Sequence, residues 1–249
     1  MWKYVSIFLL PFVLFANENE NPLVVGTTSG YAPFVSLNEK GEYEGFDIDL
    51  ANALAAKLKR PLWIRDFGSM PGLMLALKQG KADALIWAIS ITEERKKSLD
   101  MIYYQGEKVS DISLIFWKTA PQGIKDFAGL PRDRIISVEA GSYQESVLNK
   151  VPKLDLNRID RVSDAILALK YGKSWAAALD ESLFPKLKAQ HPELQKIKLP
   201  LPPEDVSQGN GICVNRSNRE LSSQIEKAVE ELRADGTLER LEKKWGLAP

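Results

Sequence analysis

The sequence predicts an α/β protein of two lobes facing each other across a cleft, and three observations carry that expectation. A length of 249 residues suits two lobes of roughly 100–120 residues, each able to bury a core without staples. Short β-rich runs alternate with helical stretches along the chain, the pattern of sheets covered by helices. Finally, Leu75-Ala76-Leu77-Lys78-Gln79-Gly80-Lys81 recurs as Leu167-Ala168-Leu169-Lys170-Tyr171-Gly172-Lys173. Each copy ends a helix at a glycine and feeds a short apolar strand, so the halves share their wiring.

The elements follow in order. Leu23-Val24-Val25-Gly26 reads as the first strand. Asp47 to Lys59 is a helix, because Leu50, Leu54 and Leu58 recur four apart beside Ala51 and Ala55 on one stripe. Leu73 to Lys78 is a second helix stopped by Gly80, and Ala82 to Ile89 reads as a strand buried on both faces. In the second half, Arg134 to Val138 is a strand and Ser142 to Lys150 a helix. Ser163-Asp164 caps a helix through Lys170, and Ser174 to Leu179 is the next strand. The alternation implies mostly parallel sheets. If the halves correspond, Trp87-Ala88 at one strand end faces Leu179-Asp180 at the other. Ligands of open α/β sheets sit beyond the carboxyl ends of strands, and facing lobes make a cleft for a small molecule.

Composition excludes several classes. Thirty-three Lys and Arg balance thirty-three Asp and Glu, so no basic excess exists to hold nucleic acid. One cysteine, Cys213, and one histidine, His191, exclude an internal disulfide and an ordinary Cys/His zinc centre. No metal or cofactor is expected, because no phosphate loop, dinucleotide fingerprint, nucleophile elbow or zincin motif is present. Residues 1–16 have a basic start at Lys3, a short apolar run and a small residue at Ala16, the layout of a secretory signal peptide. No cysteine follows to carry a lipid. The expectation is an exported, soluble, periplasmic protein.

Four segments resemble one family: Tyr31-Ala32-Pro33-Phe34, Gly45-Phe46-Asp47-Ile48-Asp49-Leu50-Ala51, Ser90-Ile91-Thr92-x-x-Arg95, and Asp235-Gly236-Thr237-Leu238 to Lys244-Trp245-Gly246. Their order and spacing are similar to those of the amino-acid-binding bacterial extracellular solute-binding proteins, family 3, the receptors of ABC importers. The resemblance implies a two-lobed type II periplasmic binding protein with two crossover strands. Lobe one would be residues 22–115 plus 208–249 and lobe two residues 116–207, with Ile115-Phe116 and Gly209-Asn210 near the crossovers. It also implies a monomer that binds a free amino acid, delivers it to a membrane permease and catalyses nothing. An alternative on the same fold is an exported cyclohexadienyl dehydratase, with Glu139 or Glu181 as its acid.

A free amino acid presents a carboxylate and an ammonium, so its receptor needs a fixed cation and a fixed anion. Arg95 has the planar fork that grips a carboxylate, and Thr92 is placed to cap the same turn. Asp180 is the candidate for the ammonium while also capping the helix after it. By resemblance, Tyr31 covers the ligand side chain, Ser90 lines the pocket, and the turn Gly141-Ser142-Tyr143-Gln144 meets the carboxylate. Tyr143 stands where the family usually has threonine. Trp87-Ala88 replaces the usual small residues, and Met70 stands where many relatives place an aromatic. Asp47, with Tyr31 and Trp87 as walls, is the candidate partner of a cationic side chain. Gly-Ser-Tyr-Gln-Glu at 141–145 and Met101-Ile102-Tyr103-Tyr104 are most similar to the arginine-binding branch. Arginine is therefore expected first, lysine or histidine second and glutamine third.

Overall fold

A computed structural model describes residues 21–247, so the expected signal peptide lies outside the described residues. The chain opens with β1 (Leu23–Thr27), a small hairpin of β2 (Ser36–Leu37) and β3 (Tyr43–Glu44), and α1 (Phe46–Leu58). Then come β4 (Leu62–Asp66), α2 (Met70–Lys78), β5 (Ala84–Leu85), α3 (Glu93–Lys96) and β6 (Leu99–Gln105). A second region holds β7 (Asp111–Trp117), β8 (Ile135–Glu139), α4 (Tyr143–Leu148), β9 (Asp155–Ile159) and α5 (Val162–Lys170). It continues with β10 (Ala176–Leu179), α6 (Phe184–Gln190) and β11 (Leu194–Pro200). The chain returns through β12 (Asn210–Asn215) and ends in α7 (Arg219–Ala234) and α8 (Thr237–Trp245).

Two five-stranded sheets result, ordered β4-β1-β5-β12-β6 and β11-β7-β10-β8-β9. Each is mixed rather than mostly parallel. β1 pairs in parallel with β4 and β5, and β8 with β9 and β10, whereas β12 and β7 pair antiparallel with both their neighbours. The reason is the wiring: the strand that enters each sheet from the other region, β12 or β7, runs against the βαβ strands, whereas β6 and β11 run with them. Ile115 and Phe116 are not at a crossover. They lie within β7, opposite Ala177 and Gln195, and the chain crosses at 106–110 and 201–209 instead.

These two connections touch. Val109 and Ser207 exchange backbone hydrogen bonds of 3.0 and 3.1 Å, and Ser207 is fully buried. Gly209 has φ +91°, and a Cβ there would lie 2.8 Å from the Gly106 carbonyl oxygen, so the close approach requires glycine. The pairing makes a narrow two-stranded neck, the geometry of a hinge.

The internal repeat is geometrically faithful. Gly80 and Gly172 both have φ +67°. Lys81 N–H reaches the Ala76 carbonyl at 2.9 Å, and Lys173 N–H reaches that of Ala168 at 2.8 Å. Both helices thus close in the same Schellman turn and feed β5 and β10. α5 starts earlier than its Ser163-Asp164 signal suggested, with Arg161 at the cap position and no side-chain cap. β5 is also shorter than its apolar run, because side chains take over its hydrogen bonding. Thr27 Oγ1 donates to the Ile86 carbonyl, and Ala88 N–H is bound by Asp47. Beneath the first sheet, α7 buries Leu221, Ile225, Ala228, Val229 and Leu232, an apolar stripe at helical spacing that packs on α1.

Candidate functional site

The carboxyl ends of β5 and β10 meet across the cleft around a cavity of about 20 Å³. From the first lobe it is lined by Tyr31, Met70, Trp87, Ala88, Ser90 and Arg95. From the second come Glu139, Ser142, Tyr143, Gln144 and Asp180. Most of the residues expected from sequence are therefore brought together; Asp47, Thr92 and Gly141 are not part of this lining.

Arg95 lies at the seam between lobes. Its Nη1 donates to the Ser90 carbonyl at 2.8 Å and its Nη2 to the Gly141 carbonyl at 3.0 Å, one from each lobe. Among the described residues no carboxylate oxygen comes within 4.0 Å of its guanidinium. Desolvation lowers its pKa, partly opposed by surrounding anionic groups. Two carbonyls leave most of its five donors available, and a desolvated guanidinium without a counter-ion is an anion site. Thr92 serves it indirectly: its Oγ1 accepts from Arg95 N–H at 3.2 Å and caps α3.

Asp180 faces the same cavity from the second lobe. Its Oδ1 accepts from Ser182 N–H at 2.8 Å and from Ser182 Oγ at 2.6 Å, so it caps the short helix that follows. Tyr31 is buried against it. Burial raises the phenol pKa well above its usual value, helped by the charges of Asp180, Glu139 and Asp47. Two donors on lining residues have no partner among the described residues: Trp87 Nε1 and the Tyr143 hydroxyl, on residues only 4% exposed. Unpaired buried donors cost about 1–3 kcal/mol each.

Three expectations are corrected by the geometry. Asp47, expected to partner a cationic side chain, lines neither the narrow cavity nor the wider one beyond it. It is 1% exposed, and its carboxylate accepts from Ala88 N–H at 2.7 Å and from the Tyr104 hydroxyl at 2.9 Å. Burial pushes its carboxyl up to about 7, against the hydrogen bonds of Tyr104 and Ala88 that hold it down. Ala88 has φ +44°, a conformation disfavoured for a residue with a Cβ, so Asp47 acts as the clamp of a strained turn. The Gly141 N–H is likewise engaged: it donates to Glu145 Oε2 at 2.7 Å, while Ser142 Oγ caps Glu145 N–H at 3.1 Å. This reciprocal cap belongs to α4, and the turn's N–H groups still facing outward are those of Tyr143 and Gln144. Glu181 lies outside the cavity, bound to Lys196 and Lys198. Burial alone would raise its carboxyl; the two lysines hold it below the usual range.

Glu139 is the lining residue that sequence reasoning raised only as an enzyme's acid. Its signal was its place at the end of an apolar strand, two residues before the Gly141 turn. Its carboxyl is pushed up to about 7 by burial and by Asp180, against Arg95, with Asp160 adding a smaller push. Beyond Tyr31, Trp87 and Glu139 the cleft widens into a cavity of about 400 Å³, whose charged lining adds Asp66, Asp160 and Arg161. Among the described residues no group of three or more His, Cys, Asp or Glu could hold a metal ion.

A hinged pair of α/β lobes with a cation and an anion across the cleft defines a small-molecule receptor fold. The chain belongs to the bacterial extracellular solute-binding proteins, family 3, whose sequence pattern matches residues 23–248. It is 35% identical to the probable ABC transporter arginine-binding protein ArtJ of Chlamydia trachomatis serovar D, over 93% of this chain and 88% of that protein. Among solved structures, an ancestral arginine-binding protein bound to arginine superposes with TM-score 0.78 at 31% identity, covering 90% of this chain and 97% of that one. An ancestral amino-acid-binding protein described as a precursor of cyclohexadienyl dehydratase has TM-score 0.74 and 26% identity, covering 90% and 94%.

Proposed function

We propose that this protein is an exported, periplasmic receptor that binds a free L-amino acid, arginine before lysine, histidine or glutamine, and delivers it to the permease of an ABC importer. The observation that carries the reading is Arg95: a desolvated guanidinium with no carboxylate partner among the described residues, set opposite Asp180 between two hinged lobes. The ligand carboxylate would meet Arg95 and the unpaired donors of Tyr143 and Trp87. Its ammonium would meet Asp180, and Tyr31 would close over the chain. The names of the relatives support the amino-acid class and the preference for arginine. Among the described residues no helix is long and apolar enough to cross a membrane.

A cavity of about 20 Å³ holds about one water, so an amino acid enters only when the lobes part and is contacted on both sides once they close. Ligand then favours closure because the closed state binds it better. A thermal-shift panel of the twenty amino acids tests the reading. Arginine at 100 times its Kd adds about 2.7 kcal/mol, and a panel with no shift would overturn it. One observation favours a dehydratase as the second reading: Glu139, with its carboxyl near 7, suits a general acid at neutral pH. Formation of phenylpyruvate from prephenate would decide for it.

A further inference from the structure

We propose that Glu139 selects for a ligand with a cationic side chain, receiving its guanidinium or ammonium where the narrow cavity opens into the wider one. The inference rests on the amino-acid-receptor reading and names the group that reads the side chain, a role the sequence had given to Asp47.

Position is the first argument. Glu139 is the last residue of β8 and the one second-lobe side chain that lines both cavities; Tyr31 and Trp87 are its counterparts from the first lobe. A ligand held by Arg95 and Asp180 at its α-carbon end must therefore send its side chain past these three. The Tyr31 and Trp87 rings, with centroids 5.3 Å apart, form an aromatic wall at that passage, suited to a cation. Pairing is the second argument. Among the described residues the Glu139 carboxylate has no hydrogen bond and no ion pair, whereas Asp66 accepts from Tyr43, Gly68 and Ser29 and Asp180 accepts from Ser182. Asp160 is likewise unpaired among the described residues, but it lines only the wider cavity, so Glu139 is the carboxylate at the passage left for a partner from outside.

Charge balance is the third. The groups around Glu139 are Arg95 from α3, Asp180 after β10, Asp160 after β9 and the Tyr31 phenol, with Asp66 and Arg161 further along the cleft. A bound α-carboxylate satisfies Arg95 and a bound α-ammonium satisfies Asp180. Glu139 and Asp160 then face the side chain with Arg161 as the remaining cation, an excess of negative charge that a neutral side chain leaves uncompensated. Because burial holds the Glu139 carboxyl near 7, a cation arriving there displaces its proton. Affinity for a cationic ligand rises as pH increases through about 7, by up to about tenfold per unit on the acid side, and levels off above. A neutral ligand gains nothing from that ionisation.

Calorimetry of the mature chain with arginine and with citrulline, its neutral isostere, tests this at about pH 6 and pH 8 in buffers of different ionisation enthalpy. Wild type is expected to prefer arginine by about tenfold or more at the higher pH, to lose most of that preference at the lower, and to release a proton on binding arginine near pH 7. Glu139→Gln should abolish the proton release and reduce the arginine-to-citrulline ratio about tenfold, with citrulline affinity changed less than about threefold. Glu139→Asp should retain the proton release, which separates a charge effect from damage to the fold. A ratio unchanged within about twofold in Glu139→Gln, or no proton released by wild type, overturns the assignment while leaving the receptor reading intact. If wild type binds no amino acid, both fall together.

Discussion

In the proposed receptor, Arg95 and Asp180 engage the two groups that every amino acid shares, and that decides how their removal must read out. Losing one partner of a desolvated charge pair costs about 2–5 kcal/mol. Arg95→Ala should weaken arginine and glutamine alike by that amount, and calorimetry finding arginine within about twofold of wild type would remove Arg95 from the site. Asp47→Asn should also act on every ligand alike. Asp47 touches Ala88 and Tyr104, so the variant loosens the turn that carries Trp87, and the chain should melt earlier. A selective loss of basic ligands would contradict this. Tyr143→Phe separates stability from binding. Its hydroxyl has no partner among the described residues, so deleting it should raise Tm while lowering amino-acid affinity, with about 1–3 kcal/mol at stake in the unpaired group. A variant with wild-type affinity would show that the hydroxyl does not meet the ligand.

At the scale of elements, the site is built from strand ends and the turns that follow them. Ser142 and Glu145 close α4 on itself, so Ser142→Ala should cost about 1 kcal/mol as a lost cap, measurable by denaturant unfolding. Gly209 governs the neck. A Cβ there would press against the Gly106 carbonyl and the Tyr103 ring, both at 2.8 Å, and φ +91° is unfavourable for alanine. Gly209→Ala should therefore lower Tm and change the ligand-driven closure, although residue 209 does not itself line the cavity.

For the whole molecule, closure and pH response follow from where the charges lie. Arg95 and Asp180 come from opposite sides of the cleft, so both ends of the ligand are held only when the lobes are together. Small-angle scattering should show a smaller radius of gyration with saturating arginine than without it; identical curves would count against the mechanism. Asp47 and Glu139 both have folded-state carboxyls raised to about 7 by burial, above the usual 4 or so of an unfolded chain. Between those values the folded state binds more protons. The stability the two groups confer is fully present below about pH 4 and is lost as pH rises through about 7. Without added amino acid, Tm should show this decline superposed on the other titrations, and Glu139→Gln should flatten it.

The wiring of this protein was legible in its residues because helix stripes, glycine stops and the repeated Leu-Ala-Leu-Lys turn are local. Each depends on neighbours within a few positions, and each copy of the turn closes through the same backbone bonds. Arg95, Asp180, Tyr31 and Trp87 were also legible, because motif and strand end place them at the cleft. The burial of Asp47 behind the cleft and the place of Glu139 in the cavity lining were not legible. Both are acids near apolar elements, and local pattern does not say which of two carboxylates will face a cavity and which will be closed off by a buried tyrosine and a backbone N–H. That choice depends on the packing of Tyr104 from β6 against α1 and the turn after β5, segments far apart in the chain. The sequence by itself determined two related α/β lobes with a cation and an anion at facing strand ends. Which carboxylate lines the cavity and which is closed off emerges only in three dimensions, because desolvation and hydrogen-bond partners are properties of the assembled interior.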